Sequence, residues 1–152
     1  MPYDLKGRRV LVCAGSRGLG ALICEKFAAE GCHVMVNYHS REDRAREVVE
    51  KVRACGVQAF AIHGQSHSPL SIVIQDAELP EDNDRLVRET VEKLGGLDII
   101  IANAGWTKFS DWKDLHALSH DEWNKVNRPS SPSTLSCRAV PPTPYPTRYV
   151  DC

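Results

Sequence analysis

No hydrophobic run in this sequence is long enough for a helix that spans a membrane, and the opening residues form no signal-peptide core. An excess of charge is missing too. Lysines and arginines number 19 against 20 acids, which gives a formal net charge of −1. Without a basic surface field, a chain has no electrostatic basis for binding nucleic acid or an anionic membrane. These absences predict a cytoplasmic protein that binds neither nucleic acid nor a membrane.

Paired cysteines are also absent. Six cysteines are spread along the chain without a Cys-x-x-Cys pair or histidines at zinc-site spacing. Cys13, Cys24 and Cys32 lie in apolar-patterned segments, where a reduced cysteine behaves as a small hydrophobic residue. We therefore expect no metal site and no disulfide framework.

The sequence does contain a regular alternation of strand-like and helix-like segments between residues 5 and 126. Apolar runs predict strands over residues 9–13, 33–37, 57–62 and 97–102. The first helix should turn Leu22, Ile23 and Phe27 to one face, and the last should run from 81 to 94. This order predicts an α/β fold, a Rossmann-like doubly wound parallel sheet with strand order 3-2-1-4.

Two stretches break the alternation. Residues 65–75 interrupt the unit between the third strand and its helix. Residues 127–152 hold six of the nine prolines and many serines, and they show no apolar periodicity. We interpret residues 1–126 as one nucleotide-binding domain, truncated after about the fourth strand, and residues 127–152 as a disordered tail. The fourth strand would then be an exposed sheet edge.

A glycine-rich string joins the first strand to the first helix, and it reads Gly15-Ser16-Arg17-Gly18-Leu19-Gly20. Residues without a Cβ allow a tight turn and let a pyrophosphate approach the backbone amides at the helix N-terminus. A strand-to-helix turn needs glycine even without a ligand. The string alone is therefore compatible with both interpretations.

A second string, Asn103-Ala104-Gly105, ends the fourth strand, which is the position beside a cofactor crevice. Together the two strings resemble the short-chain dehydrogenase/reductase family over residues 5–126. Gly18 and Gly20 match the last two glycines of the family pattern T-G-x-x-x-G-x-G, whereas Cys13 and Ala14 replace its Thr and first Gly. The resemblance implies an oxidoreductase that reduces a carbonyl or oxidises an alcohol with a nicotinamide dinucleotide.

The end of the second strand indicates which dinucleotide the chain would bind. NAD sites of this kind use an acid near the end of that strand to accept from the ribose 2′-hydroxyl. Here the strand ends at Asn37 and no acid follows until Glu42. Arg17 and Arg41 would instead hold a 2′-phosphate, and the alternative for Arg17 is a solvated loop residue. The resemblance implies the same preference, so we expect NADP rather than NAD.

Two acids match family positions near the adenine. Asp76 takes the first position only when residues 65–75 are removed, so that block is either an insertion, such as a retained intron, or a genuine surface loop. Asp98 matches a position that borders the adenine site. The predicted cofactor-binding set is Gly15, Ser16, Arg17, Gly18, Leu19, Gly20, Asn37, Arg41, Asp76, Asn103, Ala104 and Gly105.

The family's proton donor is missing from the sequence. The resemblance requires a Tyr-x-x-x-Lys pair, yet no lysine follows Lys125 and no earlier tyrosine has a lysine four residues later. We predict no catalytic residue and an incomplete form that at best binds the dinucleotide. Two alternatives stay open: a non-catalytic NADP-binding regulatory module, and a non-functional product of a faulty gene model.

Overall fold

In a computed structural model of the protein, the chain alternates strands and helices. The structure describes residues 4–64, 80–104, 113–114, 119–120, 122 and 148–151, with only the backbone described for 80–82 and 148–151. The elements in chain order are β1 (Arg9–Val12), α1 (Gly18–Ala29), β2 (His33–Tyr38), α2 (Glu42–Ala54), β3 (Ala59–His63), α3 (Pro80–Leu94), β4 (Ile99–Ala102) and β5 (Arg148–Asp151).

The described residues form five strands, all of them parallel, and their order across the sheet is β3-β2-β1-β4-β5. The predicted Rossmann-like fold and the order of the first four strands are confirmed. β1 is central because it pairs with β2 on one side and with β4 on the other. The chain therefore reverses its direction of winding at β1, and this is the place where such sheets bind ligands.

The strands β1 to β4 are mainly apolar, which suits a sheet whose two faces are both covered by helices. On one face, Val10, Val12, Val36 and Ile101 belong to a cluster with residues of α1 and α2. On the other, Leu11 and Ile100 pack with Leu86 and Val87 of α3. Successive residues of a strand point to opposite faces, so one strand feeds both clusters.

The inward face of α1 differs from the prediction. Leu22 is 48% exposed, whereas Gly20, Cys24 and Ala28 are the buried residues of this helix. Ile23 and Phe27 are only partly buried against the cluster. At the start of the helix there is no room for a side chain at Gly20, because a Cβ there would collide with the Ala14 carbonyl oxygen.

A fifth strand corrects the expectation that β4 forms an exposed edge of the sheet. Residues 148–151 pair in parallel with β4, with Ile100 opposite Tyr149 and Ile101 opposite Val150. The backbone groups of an apolar strand require partners, and a short segment rich in β-forming residues supplies them. Residues 127–147, Cys152 and the block 65–75 lie outside the described residues.

Among the residues that the structure covers, no helix is long and apolar enough to cross a bilayer. The same residues contain no cluster of histidine, cysteine or acidic side chains suited to a metal ion. Burial raises the pKa of Cys13 and Cys24 to about 12 and that of Cys32 to about 11. These three thiols therefore stay protonated and serve as packing residues.

Candidate functional site

The two predicted motifs meet at the carboxyl ends of β1 and β4. The Asn103 side chain donates hydrogen bonds to the carbonyl oxygens of Cys13 at 3.2 Å and Ala14 at 3.4 Å. The Cys13 amide donates to the carbonyl of Ile101 at 3.0 Å. Asn103 therefore joins the end of β4 to the start of the glycine-rich loop. These hydrogen bonds fix the loop relative to the end of β4.

The loop leads directly into the N-terminus of α1, which is open to an anion. Arg17 is the N-cap residue, and its side chain makes no capping hydrogen bond. The first turn of α1 contains no acid. Gly18 has a φ of +53°, and a Cβ there would meet no atom within 4 Å. Open space, uncapped amides and the helix dipole together form a cradle suited to phosphate.

Gly20 has a different function from Gly18. A Cβ at Gly20 would collide with the carbonyl oxygen of Ala14 and lie 2.7 Å from Nδ2 of Asn103. Its missing side chain therefore lets the first turn of α1 pack onto the loop. The approach of a pyrophosphate to the backbone at Gly20 stays a prediction.

Asn37, near the carboxyl end of β2, supports the loop from inside the protein. Its side chain is completely buried. Oδ1 accepts from the amide of Ala14 at 3.3 Å, and Nδ2 donates to the carbonyl of Ile62 at 3.4 Å. The Asn37 carbonyl also accepts from the Gly15 amide at 2.8 Å. Asn37 thus lies beneath the loop and positions it, because all its polar groups are used inside the protein.

A cationic groove of about 400 Å³ opens beside the loop, between α1 and α2. We define it by its charged lining residues, which are Arg17, Arg41, Arg44, Glu47 and Lys51. Four cations thus face one acid, in a chain whose net charge is −1. Ser16 and Gly18 line the end nearest the loop. The predicted residues Arg17 and Arg41 are brought together here.

Arg44 and Lys51 were not predicted as site residues. They are seven residues apart on α2, close to two full turns, so they lie on the same face of the helix. That spacing was a usable signal. Among the described residues, the Arg17 side chain has no hydrogen-bond or ion-pair partner, whereas Arg44 lies 3.7 Å from Glu47 and Lys51 lies 3.1 Å from Glu25. Arg17 is therefore the cation most available to an anionic ligand.

The remaining predicted site residues are distributed as follows. Leu19 is 58% exposed in the first turn of α1, Gly15 is buried in the loop, and Ala104 packs against the cluster beneath α3. Asp76 and Gly105 lie outside the described residues. The loop, Arg41 and Asn103 thus all lie at the carboxyl ends of the strands.

Three aromatic rings lie together at the carboxyl ends of β2 and β3, and they were not predicted as site residues. The Tyr38 and His63 rings meet edge to face with centroids 5.3 Å apart, and His39 stacks on His63 at 6.2 Å. Burial raises the pKa of Tyr38. These rings pack together at the carboxyl ends of the strands, where the loop also lies.

Asp98 does not lie at the carboxyl ends of the strands, and the expectation that it borders the adenine site is wrong. It precedes β4, whereas Asn103 follows β4, so the two lie at opposite ends of the strand. Asp98 is 1% exposed and accepts from Nε of Arg9 at 2.7 Å and from Nη2 at 3.0 Å. Its position was assigned from the motif alone, but its environment is an ion pair between the amino ends of β1 and β4.

Known proteins resemble this chain over most of its length. The chain is 38% identical over 126 residues to versicolorin reductase 1 of Aspergillus parasiticus, with 82% of the chain and 44% of that protein aligned. It is 32% identical over 130 residues to a 3-oxoacyl-[acyl-carrier-protein] reductase of Staphylococcus epidermidis, covering 86% of the chain and 48% of that protein. The chain spans less than half the length of these two relatives.

Solved structures show the same arrangement. A short chain dehydrogenase from Burkholderia cenocepacia in complex with NADP matches with a TM-score of 0.65 and 31% identity, over 90% of this chain and 48% of that one. A dehydrogenase/reductase from Sinorhizobium meliloti matches with a TM-score of 0.70 and 29% identity, over 90% and 50%. The short chain dehydrogenase family profile matches residues 8–140. The chain therefore belongs to the short-chain dehydrogenase family.

Proposed function

We propose that this chain binds NADP as the cofactor-binding part of a short-chain dehydrogenase/reductase. The observation that carries the proposal is the cationic groove between α1 and α2, beside the open N-terminus of the helix that follows the central strand β1. NADP carries more negative charge than NAD because of its 2′-phosphate. The cationic side chains of the groove would attract that additional charge. The NADP complex of the Burkholderia relative supports this choice.

Each part of the site has a proposed task. The amides at the start of α1 face the pyrophosphate, with Gly18 leaving the space open. Arg17 and Arg41 hold the 2′-phosphate, and Ser16 lines the groove beside them. Asn103 acts by keeping the loop and β4 together. Leu19 and Ala104 are proposed contacts, as are Gly15, Asp76 and Gly105.

The reaction we propose for the family member is carbonyl reduction or alcohol oxidation, in which the bound nicotinamide would supply or accept the hydride. The residues of this chain bind and orient the dinucleotide. The 152-residue sequence contains no Tyr-x-x-x-Lys pair to supply a proton. We therefore propose that the chain binds NADP without turning over a carbonyl substrate.

A direct titration tests the cofactor proposal. Purified chain is titrated with NADPH and with NADH, and binding is followed by the fluorescence of the reduced nicotinamide. We expect NADPH to bind more tightly and Arg17→Ala to weaken NADPH by roughly tenfold, because a charge-assisted hydrogen bond contributes about 1.5–3 kcal/mol. NADH binding should be unchanged in that variant.

Arg88→Ala is the matched control, because Arg88 is exposed on α3, whose packed face lies on the other side of the sheet from α1 and α2. It removes the same charge without touching the groove. Equal affinity of the unaltered chain for NADPH and NADH would contradict the proposal. An Arg17→Ala variant with undiminished NADPH preference would remove Arg17 from it.

The missing tyrosine–lysine pair also favours a second candidate, a non-catalytic NADP-binding regulatory module. Both candidates require saturable NADPH binding, and they differ in chemistry. Measurable oxidation of NADPH with a carbonyl substrate would exclude the module, whereas the absence of saturable binding would exclude both. The domain division at residue 126 and the cytoplasmic location remain predictions from the sequence.

A further inference from the structure

We propose that Asp43 is a specificity-determining residue, because its carboxylate occupies the Arg41 guanidinium that a 2′-phosphate would need. This inference rests on the proposed function. It concerns how strongly the groove distinguishes phosphorylated from unphosphorylated dinucleotides. Asp43 is not among the residues that line the groove, so it acts through Arg41.

The contact between the two side chains is bidentate. Nε of Arg41 donates to Oδ1 of Asp43 at 3.2 Å, and Nη2 donates to Oδ2 at 3.2 Å. Two parallel N–H groups of this kind are also the means by which arginine recognises phosphate. Carboxylate and phosphate would therefore compete for the same edge of the guanidinium.

The local sequence holds Asp43 in this position. Arg41 is the N-cap residue of α2, and Asp43 lies in the first turn, where a negative charge is favoured by the helix dipole. Hydrogen bonds from the Arg41 side chain and from the Arg44 backbone lower the pKa of Asp43. The carboxylate is therefore charged and in place at neutral pH.

The pair is weak enough to exchange. The two side chains are 58% and 60% exposed, and ion pairs between exposed side chains contribute little net free energy. A dianionic phosphate can displace the carboxylate, whereas an uncharged 2′-hydroxyl leaves the pair intact. Asp43 therefore reduces affinity for the phosphorylated dinucleotide alone. Arg17 has no such competitor among the described residues.

Asp43→Asn tests this competition. We expect NADPH to bind roughly 2- to 5-fold more tightly, the range that corresponds to an exposed ion pair, and NADH to bind as before. Glu50→Gln is the matched control. It removes one carboxylate from the same helix, where Glu50 pairs with Arg53 at 3.1 Å away from the groove, and both affinities should stay unchanged.

The test is completed in an Arg41→Ala background, in which Asp43→Asn should no longer alter NADPH affinity. An equal gain with and without Arg41 would overturn the competition, because it would reflect simple charge repulsion. Unchanged or weaker NADPH binding by Asp43→Asn would overturn it as well. Failure of the proposed function is separate, since the unaltered chain would then show no preference for NADPH. An unchanged NADH affinity in each variant reports an intact fold.

Discussion

At the scale of single residues, Ala14 holds a backbone conformation that usually belongs to glycine. Its φ is +52°, and it is the one described residue other than glycine with a positive φ. It stands where the family pattern has its first glycine. The left-handed conformation costs an alanine about 1 kcal/mol, so the chain tolerates local strain at the entrance to its loop.

Replacing Ala14 with glycine should relieve this strain. We expect Ala14→Gly to raise the free energy of unfolding by about 1 kcal/mol, measured by urea denaturation. Ala29→Gly is the matched control, because Ala29 is an exposed residue at the end of α1, and glycine in a helix costs about 0.5–1 kcal/mol. A loss of stability in both variants would contradict the prediction.

Gly20 should tolerate no side chain. Gly20→Ala would press a methyl group against the Ala14 carbonyl and the Asn103 amide, and overpacking of this kind costs about 1–3 kcal/mol. A lower thermal midpoint checks this. Gly18→Ala is the comparison, since it meets open space and should be penalised only through its φ of +53°. An equal loss in the two variants would show that packing at Gly20 is not the cause.

At the scale of elements, the Asp98–Arg9 pair joins the amino ends of β1 and β4. Burial opposes the charge of Asp98, but hydrogen bonds from Arg9, with the charges of Arg9 and Arg8, hold its pKa below the ordinary 3.8. A pKa that is lower in the folded chain stabilises that state above pH 4, and the contribution disappears as pH falls through the folded pKa. The pair thus links these two strands at neutral pH.

Asp98→Asn should therefore cost about 2 kcal/mol at pH 7 and progressively less as the pH falls below 4. Urea denaturation across pH 2–7 measures the difference between the two proteins. Asp43→Asn is the control, because it breaks an exposed pair and should change stability little. A constant difference at every pH would mean that the charge of Asp98 does not contribute.

At the scale of the whole molecule, β5 determines whether the apolar strand β4 has an open side. A chain that ends at residue 147 would lose the pairing of residues 148–151 with β4. We expect more aggregation in light scattering and a thermal midpoint lower by roughly 3 °C for each kcal/mol lost. A chain that lacks only Cys152 is the control. Equal solubility of both would contradict a protective role for β5.

The order of elements was predictable from the sequence because it depends on local patterns. Apolar runs such as 97–102 indicate strands buried on both faces, and the charged face of α2 follows from its helical period. Most predicted boundaries agree with the structure within two residues. The meeting of the glycine-rich loop with Asn103 followed from topology, since both motifs end neighbouring strands.

The sequence by itself determined the parallel sheet, its first four strands and the edge that carries the loop, because periodicity and chain handedness require no distant contact. Tertiary structure decided the rest. It placed Asn37 under the loop, turned Gly20 into a packing position and paired Asp98 with Arg9. It also assembled four cations from α1 and α2 into one groove and brought residues 148–151 beside β4. These outcomes depend on which side chains meet across long chain separations, and local pattern does not encode that.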